Sequence, residues 1–141
     1  MNAPDSATLA AQLEGYTLEV DGVNCDADAI NALREVCGSG TEHARTAVGL
    51  SVMYAALEKV VGDPGFPLPF DGIVHVEQEF AWGVDVEPRG SLQLQCSMHS
   101  VVVRPRMALF TLRTSALRED SHVEVVRCDA RMMAQLGGGD A

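Results

Sequence analysis

The chain has 141 residues, 47% of them apolar, and a formal net charge of −10. This length fits one domain that can bury a core, so we predict a single domain over residues 1–141. The negative charge argues against nucleic acid or an anionic membrane as a partner, because phosphate groups repel an acidic surface. No apolar run reaches the roughly 20 residues that span a bilayer. The residues before Leu13 do not resemble a signal peptide, so we expect a soluble, cytoplasmic protein.

Charge is distributed unevenly along the sequence. Residues 1–88 carry 15 acids and 3 bases, whereas residues 89–141 carry 5 acids and 7 bases, all of them arginines. One interpretation is a solvated strand surface. The other is a local site for a phosphate-bearing group or an acidic carrier, since the guanidinium fork suits phosphate.

Four cysteines are present: Cys25, Cys37, Cys96 and Cys128. None forms a C-x-x-C pair, and no set of His, Cys and carboxylate residues has the spacing of metal ligands. We therefore predict reduced, buried cysteines rather than catalytic thiols, no metal site and no bound cofactor.

The first part of the sequence is predicted to contain a disordered tail, one short strand and one helix. Residues 1–13 are predicted to be a disordered tail, as are residues 136–141. Tyr16–Val20 is predicted to be a short strand that a turn at Asp21-Gly22 closes. Apolar residues at helical spacing, with a capping aspartate at the start, predict an amphipathic helix over Asp26–Cys37.

The stretch Thr46–Leu57 is apolar on every side, which predicts a long helix with no solvent face. Two starting points are open. The capping-box spacing of Ser39-x-x-Glu42 favours a helix from near Gly40 to Val61. A start near Ala47 would instead leave backbone N–H groups free close to Gly49.

Four strands are predicted to follow: Ile73–Trp82, Ser91–Val103, Met107–Leu117 and Ser121–Ala134. Each alternates between apolar and polar residues, as strands with one buried and one wet face do in antiparallel sheets. In the first of them, Val74, Val76, Phe80 and Trp82 are predicted to face inward. We expect an α+β fold in which a curved antiparallel sheet of about five strands wraps around the long central helix.

This order of elements resembles the hotdog fold and, within it, the MaoC-like acyl-thioester dehydratases and hydratases. The segment Ile73–Phe80, I-V-H-V-E-Q-E-F, is similar to the H-x-E-Q-E-F strand of N-terminal MaoC-type domains. Glu87-Pro88-Arg89-Gly90 resembles the P-x-G element that follows that strand. The resemblance implies a (3R)-hydroxyacyl dehydratase or enoyl hydratase acting on a thioester of CoA or of acyl carrier protein.

The resemblance also implies an active-site loop, which reads G-D-x-N-P-x-H in that family, between the two helices. In the segment Cys37–His43, His43 aligns with the family's histidine and Gly38 with its aspartate, and no Asn-Pro is present. His43 is therefore a candidate general base, because imidazole titrates near neutral pH. The alternative is a solvated histidine near a helix start.

Further candidates complete the predicted site. His75 and Glu77 stand two residues apart on one strand face, where they form either an acid/base pair or an ordinary polar face or dimer contact. Gly49, with Val48, binds the thioester carbonyl if the helix begins near Ala47, and otherwise is a packing glycine.

Arg104 and Arg106 are candidates to hold the phosphate of a pantetheine-bearing substrate, or an acidic carrier. His99 and His122 are taken as surface residues.

Three functions remain open from the sequence. The first is a MaoC-like dehydratase or hydratase, towards which the prediction leans. The second is a non-catalytic hotdog subunit that shapes the substrate site of a catalytic partner, which the missing aspartate favours. The third is a thioesterase or a ligand-binding hotdog protein of secondary metabolism. The first two predict a homodimer or heterodimer with a continuous sheet, because pairing covers exposed strand edges.

Overall fold

The computed structural model describes residues 5–24, 41–83 and 90–137, with the backbone alone for residues 41–47. The elements in chain order are helix α1 (Ser6–Glu14), strand β1 (Thr17–Asn24), helix α2 (Thr41–Val61) and strands β2 (Ile73–Trp82), β3 (Ser91–Arg104), β4 (Met107–Arg118) and β5 (Glu124–Gln135). The predicted helix Asp26–Cys37 and the Pro88 turn lie outside the described residues. Within those residues, no helix combines the length and hydropathy needed to cross a bilayer.

The five strands form one antiparallel sheet in the order β1-β3-β4-β5-β2. The inward positions predicted for β3 and β4 are confirmed, because Leu92, Leu94, Phe110 and Leu112 are buried. Helix α2 packs on this inner face, against β5, β4 and β1. The predicted α+β architecture with a five-stranded antiparallel sheet is therefore confirmed.

Helix α2 buries one face and exposes another. Five of its described side chains are buried: Val48, Val52, Ala56 and Val60, which recur every four residues, and Met53. Tyr54 is 63% exposed and Glu58 and Lys59 are exposed as well. The prediction of a helix without a solvent face is wrong, because a single sheet covers only one side of a helix. The start at Thr41 favours the longer of the two predicted helices.

Helix α1 forms where a disordered tail was predicted, so that prediction is wrong for residues 6–13. The carboxylate of Asp5 caps the helix by accepting a hydrogen bond from the Thr8 N–H at 2.7 Å. This bond lowers the pKa of Asp5. Leu9 and Leu13, one helical turn apart, are buried against the core, and burial of these two side chains holds the helix on β3.

The predicted turn at Asp21-Gly22 is also wrong, because β1 continues through it. Gly22 has a positive φ of 68°, and the pairing with β3 shifts register between Val20 and Val23. A glycine in this conformation accommodates a bulge, so the strand keeps pairing as far as Asn24.

A second bulge changes the faces of β2. His75 lies opposite Met132 and Glu77 lies opposite Arg131, so Val76 is an extra residue on β2. One extra residue exchanges the two faces of a strand. Val74 and Val76 are accordingly 52% and 54% exposed, and the prediction that they face inward is wrong.

Candidate functional site

Gly49 of α2 lies where the helix and the sheet approach each other closely: its neighbours are two aromatic rings of β2. A Cβ atom at Gly49 would lie 2.7 Å from the Trp82 ring and 2.8 Å from the Phe80 ring. These two rings stack with their centroids 5.2 Å apart. The Cys128 thiol donates a hydrogen bond to the Gly49 carbonyl at 3.7 Å. Because Gly49 lies well inside α2, the helix-start argument for thioester binding by Gly49 and Val48 does not hold, and the packing alternative does.

The direction of α2 decides which predicted residues can meet. Gly49 lies beside Trp82, at the end of β2. Beyond the helix, the ring of Phe66 lies 6.1 Å from that of Phe110, which is opposite Met132 in the sheet. Met132 is in turn opposite His75, near the start of β2. Helix α2 therefore runs from the Trp82 end of β2 towards its His75 end.

His43 and His75 consequently belong to opposite ends of the molecule. His43 is in the first turns of α2, about 9 Å before Gly49 along the helix axis, and its side chain lies outside the described part. His75 is roughly 20 Å from Trp82 along β2. One chain alone does not bring the two histidines together.

His75 and Glu77 are not on one face, because the bulge at Val76 separates them. Opposite residues of paired strands share a face. His75 shares that of buried Met132, on the helix side, whereas Glu77 shares the outer face with Arg131. The Glu77 carboxylate is 3.7 Å from the Arg131 guanidinium, and both side chains are about half exposed. Such an exposed pair contributes little to stability. The predicted acid/base pair of His75 and Glu77 is therefore not formed within this chain.

The outer face of the sheet carries a polar hollow of about 500 Å³ that the sequence analysis did not predict. At its centre the Arg113 guanidinium donates two hydrogen bonds to the Asp129 carboxylate, at 2.8 and 2.9 Å. These bonds lower the pKa of Asp129 and raise that of Arg113. Glu79, Arg127 and His99 also line the hollow.

Arg104 and Arg106 flank the turn between β3 and β4, and both are exposed. Arg104 pairs with Met107 one row beyond Ile73, at the end of the sheet away from Trp82. Within one chain, these two arginines therefore lie at the opposite end from the start of α2.

Gln78 is a site candidate that the sequence showed only as a polar exception on an apolar face. It lies opposite Ala130 on the inner face, and its amide N–H donates to the Glu79 carbonyl at 3.1 Å. Its side-chain carbonyl oxygen is buried without a hydrogen-bond partner among the described residues. A buried acceptor of this kind can take a donor from a bound ligand.

The two described cysteines are poor nucleophiles. Cys96 and Cys128 are free and buried. Burial raises the pKa of Cys96 and raises that of Cys128 to about 12, so both thiols stay protonated. Cys25 and Cys37 lie outside the described ranges. In residues 5–24, 41–83 and 90–137, no three His, Cys, Asp or Glu side chains are grouped to hold a metal ion.

Comparison with known proteins identifies the fold. No family model matches the sequence, and no curated protein matches it by sequence. Solved structures do match, and they show that the chain has the hotdog fold.

Three of the matching structures illustrate the similarity. The first is HtdX of Mycobacterium tuberculosis, with 13% identity and a TM-score of 0.63 over 85% of this chain and 51% of that one. The second is the MaoC-like dehydratase from Rhodospirillum rubrum, with 19% identity and a TM-score of 0.56 over 86% and 92%. The third is the HadBC (3R-hydroxyacyl-ACP dehydratase) complex from Mycobacterium tuberculosis, with 19% identity and a TM-score of 0.58 over 86% and 97%. The chain spans about half the length of HtdX.

Proposed function

We propose that this protein binds acyl thioesters at the start of α2 and acts as a (3R)-hydroxyacyl dehydratase or enoyl hydratase. The observation that carries the proposal is the hotdog sheet with α2 on its inner face, which the chain shares with the MaoC-like and HadBC structures. The first turn of a helix has four backbone N–H groups without helical partners. These groups and the helix dipole favour the negative charge that develops on a thioester carbonyl oxygen.

His43 is the proposed general base in the first turns of α2. In hydration it takes a proton from water while the water oxygen bonds to C3 of a trans-2-enoyl thioester and the C2=C3 π electrons move towards the carbonyl; the imidazolium then returns its proton to C2. Dehydration is the same sequence reversed. The N–H donors are those of the first helical turn, in place of Gly49, whose Cβ side is filled by the Phe80 and Trp82 rings.

The second part of the proposal is a partner subunit at the outer edge of β2, on which no strand of the described residues pairs. Val74 and Val76 are exposed beside this edge, and an uncovered apolar edge favours pairing with another strand. Antiparallel pairing about a two-fold axis near Gln78 would bring the start of one β2 to the end of the other. His75 of the partner subunit would then lie towards the helix start of this chain, where His43 is.

The same pairing accounts for the arginines. Arg104 and Arg106 share the His75 end of the sheet, so the two-fold axis would carry them to the helix-start end of the other subunit. There they would bind the phosphate of CoA or phosphopantetheine, or an acidic carrier protein. The substrate class, a thioester on CoA or on a carrier, follows from this proposal.

A non-catalytic subunit is the second candidate function. The separation of His43 from His75 favours it, because one chain does not bring these two acid/base candidates to one place. In this case the protein would shape the acyl site of a catalytic hotdog partner.

Hydration of crotonyl-CoA by the purified protein tests the enzyme proposal. We expect His43→Ala to abolish the activity. The matched control is His122→Asn, because His122 is exposed in a turn and its positive φ of 58° suits asparagine. Activity that survives His43→Ala would refute the assignment. A protein that is inactive alone but raises the activity of an added catalytic homologue would select the second candidate.

The arginine proposal has its own readout. Changing Arg104 and Arg106 together to serine should raise KM for the CoA substrate and leave kcat unchanged, because the phosphate is remote from the reacting carbons. An unchanged KM for CoA and an unchanged carrier affinity would remove both arginines from the site.

A further inference from the structure

An apolar row crosses the outer face of the sheet. Val74, Met133, Leu109 and Val102 lie directly opposite one another on four neighbouring strands. Val74, Val102 and Met133 are 52%, 41% and 38% exposed. The wet face of an antiparallel sheet is normally polar, so a row of four large apolar side chains on it indicates a covered surface.

A charged block adjoins this row on the side towards Trp82. It contains three arginines and three carboxylates, all on the outer face: Glu77, Glu79, Arg113, Arg127, Asp129 and Arg131. The block is therefore neutral, in a chain whose formal net charge is −10. On the other side of the row lie Arg104, Met107 and Gln135.

The charge pattern selects the occupant of this face. A purely anionic partner would meet Glu77, Glu79 and Asp129 among the arginines, and a cationic one would meet the arginines. Arg113 is in addition already paired with Asp129. A second copy of the chain brings the same mixed set, and it avoids the repulsion that two acidic molecules have elsewhere on their surfaces.

We propose that the outer face is a self-association surface, on which two copies pack sheet against sheet. A two-fold axis parallel to the strands, between β4 and β5, brings β5 of one copy over β4 of the other. Asp129 then faces the partner's Arg113, Met133 faces the partner's Leu109, and Val74 faces the partner's Val102. Every contact occurs twice, as in an isologous interface. This inference concerns the outer face, whereas the proposed function uses the edge of β2; Val74 borders both surfaces, and the apolar row and charged block belong to the outer face alone.

The size of the face sets the strength of the contact. The row and the block cover four strands and the residues from 74 to 81 of β2, roughly 15 Å by 25 Å. This footprint is about half of the 800 Å² per partner found in stable complexes. An interface of this size belongs to the weak, transient class, so we expect a reversible and concentration-dependent association.

Sedimentation velocity of the full chain over increasing micromolar concentrations tests the proposal. The wild type should gain mass with concentration, and Met133→Asp should weaken this step about tenfold or more, because it places a carboxylate in the apolar row. The matched control is Val123→Asp, since Val123 is comparably exposed (44%) but precedes β5 and is not in the row. The control should associate like the wild type.

Mixing two charge-reversal variants gives the second readout. Arg113→Asp leaves two facing carboxylates and Asp129→Arg leaves two facing guanidinium groups, so each variant alone should stay at the lower mass. An equimolar mixture should associate, because the faces of the two variants then have opposite charge. Circular dichroism checks that each variant is folded. If a charge-reversal variant does not fold, the comparison of Met133→Asp with Val123→Asp decides the result.

Two results would overturn the proposal. One is a wild-type mass that equals that of Met133→Asp at every concentration. The other is a mixture of folded charge-reversal variants that associates no better than either alone. Pairing through the β2 edge raises the mass of the wild type and of Met133→Asp alike, so it is distinguished from outer-face association. Crotonyl-CoA hydration should be unchanged in Met133→Asp, so failure of the proposed function is separable as well.

Discussion

Gly49→Ala tests the contact between α2 and the sheet most directly. In an exposed helix interior this substitution would stabilise the protein by about 1 kcal/mol, because alanine is the better helix former. Here the new Cβ atom would lie 2.7 Å from the Trp82 ring and 2.8 and 2.9 Å from two atoms of the Phe80 ring. Overpacking of this kind costs about 1–3 kcal/mol.

The two effects oppose each other, and we expect the contact to win. The rings are stacked on each other, so neither can move without disturbing the other. A net loss of about 1 kcal/mol lowers the melting temperature by about 4 °C in a chain of this size. The matched control is Gly62→Ala, whose Cβ atom would have no neighbour closer than 3.7 Å, and which should change stability by less than about 0.5 kcal/mol.

Thermal and urea unfolding, followed by circular dichroism, measure the effect. In a Phe80→Ala background two of the three close atoms are absent and the Trp82 ring is free to move. In that background Gly49→Ala should no longer destabilise the protein, so the double-mutant cycle should show a coupling free energy between positions 49 and 80. The close contact would be refuted if Gly49→Ala alone stabilised the protein by about 1 kcal/mol, the full gain in helix propensity.

Three more predictions concern stability. Asp129→Asn should cost about 1 kcal/mol near neutral pH. The pKa of Asp129 is lowered in the folded state, so its contribution to stability is present above the unfolded pKa of about 3.9 and is lost as pH falls through the folded value. The urea midpoints of the variant and the wild type should therefore converge in acid. Tyr16→Phe should cost about 1 kcal/mol, since the Tyr16 hydroxyl donates to Asp63 at 2.8 Å. Burial raises the pKa of Tyr16, so this contribution is present below pH 10 or so and is lost at higher pH, and equal loss at all pH values would contradict it. Phe110→Ala should cost about 3–5 kcal/mol, whereas Val102→Ala, at an exposed position, should cost under about 1 kcal/mol by chemical unfolding.

The sheet was predictable where alternation is unbroken. In β3 and β4 the apolar positions from Leu92 and from Ala108 face the core, because both strands are paired on each side and their phase holds over these segments. In β2 the same reasoning gave the wrong face for Val74. Its alternation continues through Val76 in sequence, so the pattern carries no sign of the bulge there, and only the pairing with β5 reveals it.

The helices show what sequence patterns miss. Asp5 with Leu9 and Leu13 is a cap followed by two apolar residues one turn apart, a signal short enough to be taken for a tail. The exposure of Tyr54 was not predictable from its apolar neighbours in sequence, because burial depends on how much of the helix the sheet covers.

The candidate site was predictable only in part. The position of His43 in the first turns of a helix follows from the capping-box spacing, and the longer α2 bears this out. The separation of His75 from Glu77, and of both from His43, depends on a bulge and on the direction of packing. Neither has a local signature, so His75 and Glu77, which are close in sequence, were predicted to share one strand face and do not.

The extra residue in β2 sets which side chains the beginning of that strand presents to each side of the sheet. Deleting Val76 would leave His75 opposite Met132 and Val74 opposite Met133, because residues 75 and 77 would then alternate as direct neighbours. A regular strand that kept all ten residues would instead move His75 to the outer face and Val74 to the inner one. The loss of one codon at this point is therefore a length change that the sheet can accommodate without a change of pairing.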